Sequence, residues 1–259
     1  MQQIAITGAS GNVGREILGA FDDEVEVVPF SRSEYEDLDT ELLDVTDREE
    51  VLEALAGFDV VVHLAGASSP EADWETVAEV NIHGTKHVLD AAVEGGVERV
   101  VFASSNHAVG TYNAEEGEQD TERMTTGYAA PVSGNAPPRP DSFYGASKVA
   151  CEGLANFYAD VHGLEVVTLR IGWYLTPEDL RETVAGMDDP GKERFARALW
   201  LGPHDCRDVH RQAATVELPE NPITVNAVSR NDERFHSITE TMRLLGYRPR
   251  ENSAEVLDE

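Results

Sequence analysis

The sequence predicts an α/β fold built on a doubly wound parallel sheet, with a small C-terminal substrate-binding part. Three observations lead there. Short, wholly apolar runs of strand length recur between stretches of helical spacing, the pattern of strands buried on both faces. The first run, Ile4-Ala5-Ile6-Thr7, opens straight into Gly8-Ala9-Ser10-Gly11-Asn12-Val13-Gly14 and a segment in which Ile17, Leu18 and Phe21 keep helical spacing. Later, Tyr144-Gly145-Ala146-Ser147-Lys148 sets a phenol and an ammonium four residues apart, on one face of a helix.

Taken in order, the glycine-rich turn permits positive φ and close backbone approach, and the helix after it offers free N–H groups to a pyrophosphate. Gly8, Ser10, Gly11, Asn12, Val13 and Gly14 are therefore expected to bind a dinucleotide, which makes the sheet Rossmann-like. The second strand, Val25 to Phe30, ends in Ser31-Arg32-Ser33. An acid here would hold the adenosine ribose and repel a 2′-phosphate, whereas a hydroxyl and a guanidinium accept that phosphate. Ser31 and Arg32 thus favour NADP over NAD, with Glu34, Asp37 and Asp39 as alternative ribose partners.

Leu42-Leu43-Asp44-Val45 reads as a third strand with Asp44 near the adenine, and Thr46-Asp47-Arg48-Glu49 as a capping box opening a helix. Val60 to Leu64 is a fourth strand; His63 within it is expected to be a satisfied core histidine. Ala65-Gly66 supplies small residues where backbone passes the cofactor. A helix from about Asp73 to Ala92 places Trp74, Val77, Val88, Leu89 and Ala92 on its inner face with Asn81. A buried amide must be hydrogen-bonded, so Asn81 either pins backbone or holds an active-site water.

Val97 to Ser104 is the fifth strand, and Ser104-Ser105-Asn106-His107 stands at its carboxyl end, where ligands of open parallel sheets bind. Tyr112 to Pro140 reads as a long loop, leading to Asp141 as N-cap of the Tyr144 helix. Val166 to Ile171 is the sixth strand. The pattern then loosens from Trp173 to Arg207 and recovers as a strand at 223–227 and a helix from Thr239 to Leu245. Residues 1–259 are expected to form one domain, with 1–170 the dinucleotide-binding core and 171–259 mainly substrate-binding.

The charge narrows the function. The chain has 49 acidic and 20 basic residues, a net charge of −29, and its only lysines are Lys86, Lys148 and Lys192. Such a surface disfavours nucleic acid and anionic membranes as partners. It also repels itself, and molar salt shortens the screening length to about 3 Å, so a salt-rich cytoplasm is the expected setting. No apolar run reaches membrane-spanning length, and Cys151 and Cys206 suggest neither a disulfide framework nor a metal site.

With the glycine loop, a serine ending the fifth strand and Tyr-x-x-x-Lys all present, the chain resembles the extended short-chain dehydrogenase/reductase (NAD-dependent epimerase/dehydratase) superfamily. Val62 to Gly66, Asn81-Ile82-His83-Gly84-Thr85, Arg170-Ile171-Gly172 and Leu245-Gly246-Tyr247-Arg248-Pro249 also look like that group. Ser104 to Gly110 and Arg139 to Gly145 are similar to its sugar-oxidising branch, which contains uronate dehydrogenases and the NAD-dependent glucose-6-phosphate dehydrogenase of halophilic archaea.

The resemblance implies an NAD(P)-dependent enzyme oxidising C1 of a pyranose, such as glucose 6-phosphate or a hexuronate, to the lactone. Tyr144 would be the base, Lys148 would hold the phenolate and the nicotinamide ribose, and Ser105 would orient the reacting oxygen. Val45, Leu64, Ser104 and Ile171 join the cofactor contacts. Ser68, Asn106, His107, Trp173 and Arg181 are the expected sugar contacts, with Arg194, Arg197 and His204 as further cations for an anionic substrate. No metal is expected, and a homodimer is. A nucleotide-sugar epimerase or dehydratase is the alternative, and a non-enzymatic nucleotide sensor the second.

Overall fold

The computed structural model describes residues 1–125 and 129–258. Its centre is a seven-stranded, wholly parallel sheet: β1 (Gln2–Thr7), β2 (Val25–Ser31), β3 (Glu41–Leu42), β4 (Val60–His63), β5 (Arg99–Ser105), β6 (Glu165–Ile171) and β9 (Ile223–Ala227). The spatial order is β3-β2-β1-β4-β5-β6-β9, so the chain reverses direction across the sheet at β1 and β4. A crevice opens beyond the carboxyl ends of the strands at such a reversal. Successive side chains alternate between faces: Ile4, Ile6, Val60, Val62, Val101 and Val167 enter one core, Ala5, Val61, Val100 and Val166 the other.

Helices α2 (Arg48–Ala54), α4 (Gly84–Gly95) and α5 (Phe143–His162) cover the second face, and α1 (Asn12–Ile17) and α8 (Pro203–Thr215) the first. Between them lie α3 (Trp74–Thr76), α6 (Pro177–Ala185), α7 (Pro190–Leu199), the strand pair β7 (Trp173–Tyr174) and β8 (Trp200–Leu201), α9 (Thr239–Leu245) and α10 (Ser253–Asp258). Both cysteines are fully buried, Cys151 on α5 and Cys206 on α8. Among the described residues no helix is long and apolar enough to cross a membrane.

Several local expectations are corrected. β3 covers only Glu41–Leu42; Leu43 and Val45 reach the core from irregular chain beyond it. The cap of α2 is Asp47, whose carboxylate accepts from the N–H groups of Glu49 and Glu50, while Thr46 is bonded to Asp44. The helix expected from Asp73 to Ala92 is interrupted by a π turn, Val77–His83, and Trp74 stands 46% exposed instead of facing inward. The cap of α5 is Ser142, which accepts from Gly145 N–H; Asp141 is turned to His107.

The stretch from Trp173 to Arg207 holds three helices. Their starts share a signature, since Thr176-Pro177, Asp189-Pro190 and Gly202-Pro203 each put a cap residue before a proline in the first turn. Proline there loses no hydrogen bond and presets φ. Residues 126–128 of the long loop lie outside the described residues. Its remainder holds a 3₁₀ segment, Asn106–Asn113, at its entrance, and a bridge from Val132 to His236.

A buried network locks the sheet to the helix that carries Tyr144. Glu152 of α5 receives Arg170 Nε at 2.9 Å and a second guanidinium nitrogen at 2.8 Å, together with the Ser104 hydroxyl at 2.6 Å. Arg170 and Glu152 are nearly inaccessible, and the guanidinium also donates to the Ala136 carbonyl at 3.0 Å. Removing one member of a buried pair strands the other charge. Glu152→Ala should therefore destabilise the fold by about 3–5 kcal/mol in equilibrium urea unfolding, whereas exposed Glu49→Ala should stay within about 0.5 kcal/mol.

Candidate active site

The crevice beyond the strand ends is a cavity of about 460 Å³. One wall is the glycine turn. Gly8 has φ +73°, and a Cβ there would lie 2.6 Å from Ala65 N; a Cβ on Gly14 would lie 2.5 Å from Gly8 O. Both positions are thus closed to any side chain. Gly11 has no such crowding, and with Asn12 and Val13 it lines the cavity at the start of α1. Leu64 and Gly66 continue the wall, and Ala65 backs Gly8 from behind. This cradle fits a dinucleotide's pyrophosphate, held by backbone N–H groups where a side chain would obstruct it.

Asn81 explains how Gly66 comes to be there. Its Oδ1 accepts from Ala67 N–H at 2.7 Å, and its Nδ2 donates to Ala67 O at 3.1 Å and to the Ser147 hydroxyl at 2.9 Å. Of the two expectations for this amide, pinning backbone is the one realised. It acts on the cofactor wall through Ala67. His63 is the core histidine expected, bonded to the hydroxyls of Thr7 and Thr85, with burial pushing its pKa down to about 3.

At the adenosine side the expectations need revision. Ser31 is buried and its hydroxyl is committed to Ser33 O and Thr40 Oγ1, both at 2.6 Å, so it does not face a phosphate. Arg32 is exposed. Val45 packs into the core, its carbonyl accepting from His87, and Asp44 holds Thr46. Neither lines the cavity. The cation that sequence reading missed is Arg15 of α1. It is bonded to Ser10 O, paired with Asp37 at 2.8 Å and laid over the Tyr35 ring.

The reactive groups meet at the far end. Tyr144, Lys148, Ser105, Asn106 and His107 all line the cavity, as do Ser104, Ile171 and, opposite them, Ser68 and Trp173. The Ser104 hydroxyl itself points to Glu152, leaving its backbone to the cavity. Lys148 is buried, donates to Ala103 O at 2.7 Å and lies 5.8 Å from the Tyr144 ring centre. Burial raises the Tyr144 pKa above its ordinary value, a hydrogen bond with Ser105 works against that rise, and the Asp141 charge adds to it. Burial likewise lowers the pKa of Lys148, because a charged ammonium is desolvated there.

His107 is held by a partner the sequence did not reveal. Its Nδ1 faces both oxygens of Asp141, at 2.9 and 3.1 Å, and a carboxylate can only accept, so the ring proton belongs on Nδ1. The pair is 92% or more buried, with side-chain exposures of 8% and 7%. Two glycines make room for it: a Cβ on Gly110 would fall 1.7 Å from Asp141 Oδ2, and one on Gly145 2.3 Å from His107 O.

The expected substrate cations are elsewhere. Arg181 donates to Val256 O at 3.0 Å, on the side of α6 facing α10. Arg197 pairs with Glu193, and His204 with Asp205. Among the described residues the cavity is lined by one ammonium, Lys148, one carboxylate, Glu122, and no guanidinium.

Residues 4–187 match the model of the NAD dependent epimerase/dehydratase family. The chain is 47% identical over 258 residues to an L-arabinose 1-dehydrogenase (NAD(P)(+)) of Haloferax volcanii, covering 100% of each. It is 36% identical to the NAD-dependent glucose-6-phosphate dehydrogenase of the same organism, over 98% of this chain and 95% of that one. Among solved structures, uronate dehydrogenase from Agrobacterium tumefaciens superposes with a TM-score of 0.77 at 27% identity, covering 98% of this chain and 86% of the other. The parallel sheet, the glycine cradle and the Tyr144–Lys148 pair agree with these likenesses, and the chain belongs to the NAD dependent epimerase/dehydratase family.

Proposed function

We propose that the protein is an NAD(P)-dependent sugar dehydrogenase that oxidises C1 of an uncharged aldopyranose to the lactone. The carrying observation is the cavity wall: among the described residues it offers hydroxyls, amides and an imidazole beside one carboxylate and the Lys148 ammonium, with no guanidinium to meet a phosphate or carboxylate on the sugar. The higher identity to an enzyme named for L-arabinose, 47% against 36% for the glucose-6-phosphate dehydrogenase, supports the same reading.

The dinucleotide would rest on Gly8, Gly11, Asn12, Val13 and Gly14, with Leu64 and Gly66 beside it, and it supplies the acceptor for the hydride leaving C1. Tyr144 takes the C1 hydroxyl proton and Ser105, bonded to it, orients that oxygen. Lys148, 5.8 Å from the Tyr144 ring centre, would hold the nicotinamide ribose and keep a positive charge near the base. With its proton on Nδ1, His107 turns an accepting Nε2 to a sugar hydroxyl, and Asn106 offers both a donor and an acceptor. Arg32, freed of any help from Ser31, carries the preference for NADP. Residues 171–259 form the substrate side through Gly172, Trp173, Tyr174 and Phe195.

A panel of aldoses, sugar phosphates and uronic acids with each dinucleotide, followed by nicotinamide absorbance in molar salt, tests the reading. Neutral aldoses should give the highest kcat/KM and NADP+ should exceed NAD+. Turnover restricted to phosphorylated or acidic sugars would reject it, and faster rates with NAD+ would reject the Arg32 assignment.

Tyr144→Phe should lower kcat by about 10²–10⁴ with cofactor binding unchanged. The base acts deprotonated and its pKa lies above the ordinary phenol value, so the active fraction grows tenfold per pH unit below that pKa. The wild-type kcat/KM should accordingly climb through the alkaline range; a maximum near neutrality would assign the base elsewhere.

A homodimer is proposed through α5, whose outer face shows Phe143, Phe157 and Val161 at 58%, 50% and 61% exposure. Light scattering should return twice the 28.3 kDa chain mass; the single mass would refute it.

A further inference from the structure

The cavity contains one charged side chain that the proposed reaction does not use. Glu122 belongs to a stretch without helix or strand, which nevertheless is fastened in place. Asp120 pairs with Lys192 at 2.8 Å, and Arg123 pairs with Asp189 at 2.8 Å and Glu118 at 3.1 Å. Met124 is buried, and its N–H donates to Gly191 O at 3.1 Å. Gly191 is needed for this approach, since a Cβ there would lie 2.9 Å from both Arg123 Cγ and Met124 O. The ties flank residue 122 on both sides and run to the first turn of α7.

Held between them, Glu122 lines the same cavity as Tyr144 and His107. Among the described residues its carboxylate makes no ion pair within 4 Å; Lys192, bonded to Asp120, also feels the Glu122 charge. A carboxylate at the wall of a sugar cavity accepts hydrogen bonds from ring hydroxyls, two at once when they are vicinal. Toward a sugar carboxylate or phosphate the same group is repulsive; among the described residues the lining has no guanidinium to offset it, and its one ammonium, Lys148, is bonded to Ala103 O.

We propose that Glu122 is the specificity-determining residue of this site, binding hydroxyls of an uncharged pyranose and rejecting sugars that carry an anionic group. This rests on the reading of the protein as a sugar dehydrogenase and adds the side chain that sets the substrate's charge. The discrimination is built by contact and by repulsion together, and the second part is the larger.

The test uses L-arabinose and D-galacturonate, whose pyranose rings share configuration and differ by the carboxylate on C5. Full-length wild type should favour L-arabinose by at least about 100-fold in kcat/KM. Glu122→Gln keeps the side-chain volume and should narrow that ratio at least about tenfold, chiefly by raising the rate on D-galacturonate. Glu122→Arg should narrow it further, and dinucleotide binding by fluorescence should be unchanged in both variants. A ratio within about twofold of wild type in both would overturn the assignment while leaving the sugar dehydrogenase reading intact. A wild-type preference for D-galacturonate would overturn both the assignment and the uncharged-substrate reading, while a chain that oxidises neither sugar would overturn the dehydrogenase reading itself.

Discussion

A carboxylate with no route to water must be satisfied by its neighbours, and the arrangement of the site follows from how Glu152 is satisfied. The residue sits on α5 two turns beyond Tyr144. Its partners are Ser104 at the end of β5 and Arg170 near the end of β6. The strand ends and the helix carrying the base are therefore fixed by one set of charged hydrogen bonds. Arg170 extends that set to the Ala136 carbonyl, so the far limb of the long insert is registered to the same point. Hydrophobic packing alone would let α5 slide on the sheet at small cost. Directional bonds to a buried charge do not.

Within that frame, the base is a phenol that burial makes a weaker acid than usual. Lys148, 5.8 Å from the Tyr144 ring centre, donates to the Ala103 carbonyl and is itself desolvated. The Ser105 hydroxyl beside Tyr144 counters the rise, while Asp141 adds to it. The position of Asp141 thus has a cost at Tyr144 and a benefit at His107, whose ring it orients. A Cβ at 145 would meet the His107 backbone and one at 110 the Asp141 carboxylate, so both glycines leave room for this compromise.

Most of the sheet was legible because its strands are buried on both faces and read as unbroken apolar runs. Val60 to His63 and Val166 to Ile171 needed no context. The glycine turn and the Tyr144 helix were legible because their chemistry demands specific residues at fixed spacing. What escaped was decided by tertiary partners. Trp74 fits an inward stripe until the π turn at Val77–His83 rotates the helix beneath it. Asp141 looks like a cap, and only the fold brings His107 within its reach, 34 residues away. Arg181 carries the right charge, yet the α10 carbonyl of Val256 claims it. Glu122 gave no signal, since an acid in an acidic loop is indistinguishable from solvated surface.

The two cysteines have a use beyond packing. Cys151 lies under α5 against one face of the sheet and Cys206 under α8 against the other, and burial raises the pKa of both thiols. A thiol-directed reagent reaches neither until its own helix lifts. Labelling kinetics therefore read the opening of the two layers separately, with no engineered probe in a chain that carries no other sulfhydryl.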